Sequence, residues 1–145
     1  MEIRDLYRRK CFLPAALVIP ALLIVMLSCS APAEESLPSD LTKIPLDSVL
    51  GNGKPTVSEF GWRTCMPCKA MKPIMEEVAV KYNGRLNVVI VEIYEHDDLA
   101  RRHSIRAIPT QIFFDKDGKE LTRHEGYLSK EQIQAILSLK ELING

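Results

Sequence analysis

Residues 41–145 predict an α/β three-layer sandwich, a central mixed β-sheet flanked by helices. Three observations carry this reading. Strand-like and helix-like stretches alternate and then close with a hairpin and a terminal helix. The run LNVVIVEI at 86–93 is apolar almost throughout, as a strand covered on both faces should be. About 105 residues are also enough chain to bury one core without a staple.

Taken in order, residues 45–50 suit a short helix ended by Gly51-Asn52-Gly53, and 56–60 read as a strand. Met71, Ile74, Met75 and Val78 recur at helical spacing within 69–82, an amphipathic helix. The β-branched run at 86–93 is expected at the centre of the sheet. Residues 97–103 suit a short helix, and 110–114 a strand after Pro109. Asp115-Lys116-Asp117-Gly118 is a hairpin turn leading into a strand at 120–124. Ser129 is placed to cap a last helix over 129–143, with Gln132 completing a capping box and Ile133, Ile136 and Leu137 on one side. No internal repeat is present.

Ahead of this domain the charge is unevenly placed. Arg4, Arg8, Arg9 and Lys10 precede CFLPAALVIPALLIVML, 17 residues without a charge. That length lies between a signal-peptide core and a membrane span. Positive charge before the run holds the N-terminus in the cytoplasm, so the chain beyond Leu27 is expected outside it. Met26-Leu27-Ser28-Cys29 resembles a bacterial lipobox, which makes Cys29 the candidate lipid anchor. An uncleaved anchor and a soluble secreted form are the competing readings; Pro14 and Pro20 count against a permanent span, and the strong apolarity counts against a twin-arginine signal at Arg8-Arg9. The organisation expected is a leader or anchor over 1–29, a flexible tether over 30–40 (SAPAEESLPSD, small, acidic and proline-containing) and a domain over 41–145. The expected location is the periplasmic side of the cell envelope, held to the membrane as a lipoprotein.

Composition narrows the function. Nineteen Lys+Arg balance nineteen Asp+Glu, and 26% charged with 46% hydrophobic residues is the globular average, so disorder and fibres are excluded. The first 29 residues carry four cations and two anions; without them 15 Lys+Arg face 17 Asp+Glu, a mildly acidic domain with no nucleic-acid footprint.

The chemistry lies in Trp62-Arg63-Thr64-Cys65-Met66-Pro67-Cys68-Lys69, between a strand and a helix, where C-x-x-C is a redox signal. Two intervening residues at a helix start bring the sulfurs within bonding reach. The helix N-terminus, with Arg63 and Lys69 nearby, favours negative charge on the first sulfur. Cys65 is therefore the attacking group and Cys68, one turn in, the resolving one.

This segment, together with several motifs C-terminal to it, resembles the thioredoxin family. Phe60 precedes the cysteines at the family's spacing, and Pro73 falls where the family kinks its active-site helix. Ile105-Arg106-Ala107-Ile108-Pro109-Thr110 is similar to its cis-proline loop, Asp117-Gly118-Lys119 to its hairpin, and Gly126-Tyr127-Leu128-Ser129-Lys130 to the turn before its last helix. The resemblance runs over residues 41–145 with every motif in order. It implies the thioredoxin fold, thiol–disulfide exchange without a cofactor, and a cis bond before Pro109. It further implies a largely apolar substrate groove walled by Ile108 and Pro109 and rimmed by Trp62, Met66, Pro67 and Gly126.

Glu59 holds the position of a buried Asp in many thioredoxins and interrupts an apolar strand. Desolvated there, it would take the Cys68 proton; the competing reading is a strand Glu facing solvent or a local cation. Two departures bear on this. Ile90 stands where the family often pairs a Lys with that acid, and Thr64 stands where it commonly has Trp, leaving Trp62 displaced.

A zinc half-site is the main non-redox reading of C-x-x-C, but His96, His103 and His124 form no H-x3-5-H pair and no second C-x-x-C exists. No metal is expected, and these histidines are read as surface or groove residues. The cluster Glu95, Asp97 and Asp98 is read as a solvated loop. Pro67 favours a reductase of protein disulfides, since strongly oxidising relatives place His there. Such a protein would act as a monomer, fed by a membrane thiol-transfer donor. A disulfide-donating oxidase and a redox-inactive binding module are the alternatives.

Overall fold

The computed structural model describes residues 40–143, so the expectations for the leader, Cys29 and the tether up to residue 39 lie outside the described residues. Asp40, assigned to the tether, already belongs to the domain. Its carboxylate accepts hydrogen bonds from the Thr42 backbone N–H at 3.0 Å and the Thr42 hydroxyl at 2.7 Å, capping a 3-10 turn at Leu41–Lys43.

Beyond that turn come helix α1 (Leu46–Val49), strand β1 (Thr56–Gly61), helix α2 (Met66–Lys81), strand β2 (Asn87–Glu92), helix α3 (Asp97–Arg102), strands β3 (Thr110–Phe114) and β4 (Glu120–Glu125), and helix α4 (Lys130–Leu139). The sheet order is β2-β1-β3-β4, with β1 and β2 parallel and the other pairings antiparallel, so the sheet is mixed as expected.

Period-two alternation sends side chains to two cores. Val57, Val88, Ile90 and Phe113 pack with Met71, Met75 and Val78 of α2 and Ile133 and Leu137 of α4. Phe60, Val89, Val91, Ile112 and Phe114 pack on the other face with Leu46 of α1 and Leu99 of α3.

Strand β2 corrects one expectation: among the described residues it lies at the sheet's edge, not its centre. Continuous apolarity reports two covered faces and is silent on edges; β2 is buried because helices cover both faces and the Leu41–Lys43 turn lies alongside it. The central strands are β1 and β3, every residue of which is buried.

Helix ends obey local chemistry. Helix α2 begins at Met66, ahead of the apolar periodicity, with Cys65 at its N-cap and Pro67 in the first turn, where a missing N–H costs nothing. The capping box forms, Ser129 accepting from the Gln132 N–H at 3.3 Å and donating its own N–H to the Gln132 side chain at 2.8 Å. Helix α4 stops at Leu139, short of residue 143. Glu141 turns left-handed (φ 54°), and Leu142 N–H bonds back to Leu137 C=O at 3.0 Å, which returns Leu142 and Ile143 to the core.

The acidic cluster is exposed as expected, with Glu95 in the turn after β2, but its other two members belong to the expected short helix. Asp97 and Asp98 open the first turn of α3, where the helix dipole favours them; Asp97 pairs with Arg101 at 2.6 Å, and Glu95 pairs with Arg63. The hairpin tip seats on the loop after α1: Gly53 N–H donates to Lys116 C=O at 3.1 Å, and a Cβ on Gly118 (φ 82°) would come within 3.0 Å of Gly51 N.

Candidate active site

Strand β1 runs out at Gly61, and the chain then turns back so that Cys65 N–H donates to Trp62 C=O at 2.9 Å. The turn delivers Cys65 to the N-cap of α2, where unpaired backbone N–H groups face it. Both cysteines are free thiols; Cys65 is half-buried and Cys68 is 5% exposed. Burial pushes the Cys68 thiol well up, and a hydrogen bond with Cys65 adds to that. The proton therefore stays on Cys68, and Cys65 is the sulfur a substrate can reach.

Glu59 lies behind them, 2% exposed, with no partner for Oε1. A Cβ at Gly61 would sit 2.3 Å from that oxygen and 3.2 Å from Cys68 Cβ, so glycine keeps open the space between carboxyl and thiol. Burial, with a smaller push from Glu92, raises Glu59 to about 8. The competing reading fails on both counts: Glu59 does not face solvent, and its parallel neighbour in register is the buried Ile90 rather than a cation. A cleft of about 160 Å³, lined by Glu59, Cys68, Trp62, Lys72, Ile90 and Glu92 among others, leads from this pair outward.

The Ile108–Pro109 bond is cis. Pro109 C=O accepts from Gly126 N–H at 2.7 Å, which brings Gly126 (φ 106°) beside the proline, and the Thr110 hydroxyl donates to Ala107 C=O at 2.7 Å. Pro109 is buried and Ile108 half-buried, while Met66 and Pro67 stand exposed at the helix start. Trp62, half-buried, follows β1 and is held by its neighbours. Its ring stacks edge-on against Tyr94 at 4.8 Å, the Arg63 guanidinium lies 4.1 Å over it, and it lines the Glu59 cleft. Arg63 is held in turn by Glu95, and its N–H donates to Glu92 at 3.1 Å.

His103 is half-buried, its ring lying against Phe60 and Phe114 with centroids at 5.5 and 5.6 Å. Burial lowers its pKa. Tyr94 and Gln111 escaped the sequence reading. Nothing local marks Tyr94, but Gln111, one amide inside the run TQIFF, was a visible signal.

The sequence model of the family described as "Thioredoxin-like domain" matches residues 44–140. The chain is 40% identical over 89 residues to a thioredoxin of Acidithiobacillus ferridurans, covering 61% of this chain and 82% of that protein. It is 37% identical over 89 residues to a thioredoxin of Pseudomonas aeruginosa, with the same coverage of 61% and 82%. Among solved structures, chloroplastic thioredoxin z superposes with a TM-score of 0.59 at 29% identity, covering 65% of this chain and 84% of that one.

Proposed function

The chain belongs to the thioredoxin-like domain family, a family of thiol–disulfide oxidoreductases, and from that premise we propose that it reduces protein disulfides outside the cytoplasm. The observation that carries the reading is the asymmetry of the two thiols: Cys65 is reachable at a helix N-cap, and Cys68 is buried, protonated and backed by Glu59.

In this mechanism the Cys65 thiolate attacks one sulfur of a substrate disulfide laid along Ile108-Pro109. The substrate S–S bond breaks, one sulfur leaves and takes a proton from solvent, and the other is joined to Cys65. Cys68 then attacks Cys65; its proton passes to the Glu59 carboxylate as the Cys65–Cys68 bond forms and the second substrate sulfur departs as a thiolate that takes a proton from solvent. Two electrons have moved to the substrate, and an external dithiol must restore the pair. In that return step the neutral Glu59 carboxyl protonates the departing Cys68 sulfur. Titration at about 8 suits both directions, since each protonation state is populated near neutral pH.

Pro67 in place of a second-position histidine supports reduction over donation, and the cationic N-terminus before an apolar run, with Cys29 behind it, supports an envelope location as a lipoprotein. A membrane thiol carrier is the donor that fits. The test is the reduction potential of Cys65/Cys68 in a soluble form beginning at Ser30, by equilibration against glutathione or dithiothreitol. We expect about −230 mV or lower; a value above about −150 mV would make the protein a disulfide donor, and failure to form the disulfide at any poise would leave a binding module.

A further inference from the structure

Among the described residues two buried side chains outside the exchange mechanism hold polar atoms without partners, Ser58 and Gln111, and Gln111 is the one on the face of Glu59. Gln111, the second residue of β3, is fully buried, and neither its amide nitrogen nor its amide oxygen has a partner. Antiparallel register sets it directly opposite Glu59, whose Oε1 is also unpartnered. The two share a face. The next pair along the ladder, Val57 and Phe113, lies in the core beneath α2 and α4, and side chains two residues apart on a strand point the same way. Directly opposed side chains have Cβ atoms about 5 Å apart, within reach of a carboxyl and a carboxamide.

A buried amide with both ends idle is costly, and neighbours Ile112 and Phe113 show that this strand accepts apolar side chains. Among the described residues Glu59 is the one buried ionisable carboxyl, and strand register sets the idle amide opposite it. Chemistry explains the match. An amide both donates and accepts, and its terminal torsion is soft, so by turning over it can accept from a neutral carboxyl or donate to an ionised one. A cation would serve only the ionised state, and a hydrocarbon neither.

We propose that Gln111 is the positioning partner of Glu59, accepting from the carboxyl while it is protonated and donating to it once it is ionised, and thereby setting the pH at which Glu59 takes the Cys68 proton. This rests on the exchange mechanism above. The other charged or titratable groups around Glu59 are Cys68, Lys69 and Lys72 of α2, Arg63 of the preceding loop and Glu92 of β2, with His124 of β4 beyond Gln111 in the same row. Gln111 is the neutral group of that set able to serve both states.

The test is a pH titration of the Glu59 carboxyl carbon by NMR in the reduced full chain, held in detergent and labelled at glutamate, with the resonance assigned by loss in Glu59→Gln. Gln111→Leu and Gln111→Met put hydrocarbon of similar size in place of the amide, so both should still fold, with the cost confined to leaving the Glu59 carboxyl without its partner. The ionised form loses more than the neutral one, so the midpoint should rise by about one pH unit in both, and the pH profile of peptide-disulfide reduction should move with it. A merely structural Gln111 would change thermal stability and leave the midpoint in place. A midpoint unmoved in both variants overturns the proposal, as does an equal shift in His124→Gln, which would assign the effect to charge across the sheet. Should the parent protein reduce no disulfide at any pH, the exchange mechanism falls while the carboxyl titration still reports on Gln111.

Discussion

On the face of the sheet covered by α2 and α4, a buried carboxyl and a buried amide sit opposite one another without partners, next to Cys68. The face covered by α1 and α3 is filled by Phe60, Val89, Val91, Ile112 and Phe114, and the half-buried His103 ring lies against two of these aromatic rings. Both layers are packed cores, but the first sets its two idle polar side chains beside a reactive thiol, whereas the second keeps its one idle hydroxyl, Ser58, among hydrocarbon and away from the cysteines. Buried polarity without partners is expected where chemistry, not folding, chose the residue.

The contrast can be broken most forcefully from the apolar face. Phe60→Ala removes a fully buried ring and should cost about 3–5 kcal/mol in chemical denaturation, with little change in the pH profile of exchange by the remaining folded protein. A comparable shift in that profile would show that the two faces are not separable.

Glu59→Gln should do the reverse. Glu59 ionises at 4.5 unfolded but at about 8 folded, so its contribution is neutral below 4.5, becomes a growing loss as pH climbs towards 8, and is constant above. At about 1.4 kcal/mol per pH unit the variant should gain about 3–5 kcal/mol at pH 8 and almost nothing at pH 4, while resolution by Cys68 slows and loses its rise through pH 8. Denaturation curves at the two pH values, with rapid-mixing kinetics of the mixed disulfide, check both halves.

The smallest effect belongs to His103. Its folded pKa lies below the ordinary 6.5, so the stability it permits is complete above 6.5 and declines as pH falls below that. His103→Phe should flatten this acid limb of the melting temperature and leave exchange at pH 7 unchanged.

Much of this was legible in the chain. Cys65 and Cys68 at a strand–helix junction, the cap at Ser129 and the hairpin at Gly118 are local patterns in which a few adjacent residues supply the whole physical cause. The stop of α4 at Leu139 was not, because the apolar Leu142 and Ile143 suit a helix continued or a chain turned back, and only the core beneath decides. The edge position of β2 was hidden for a similar reason: hydrophobicity records how much of a strand is covered, not which neighbour hydrogen-bonds to it.

By itself the sequence determined the order of elements, the redox pair and the likeness to thioredoxins, all of which depend on periodicity, turn chemistry and spacing along the chain. Tertiary structure alone decided that Glu59 meets Cys68 across Gly61, that Gln111 stands opposite it in register, and that the half-buried His103 ring meets Phe60 and Phe114. Those neighbours are set by strand register and helix docking between residues far apart in the chain, and a shift of one residue in either pairing would turn Glu59 or Gln111 to the opposite face.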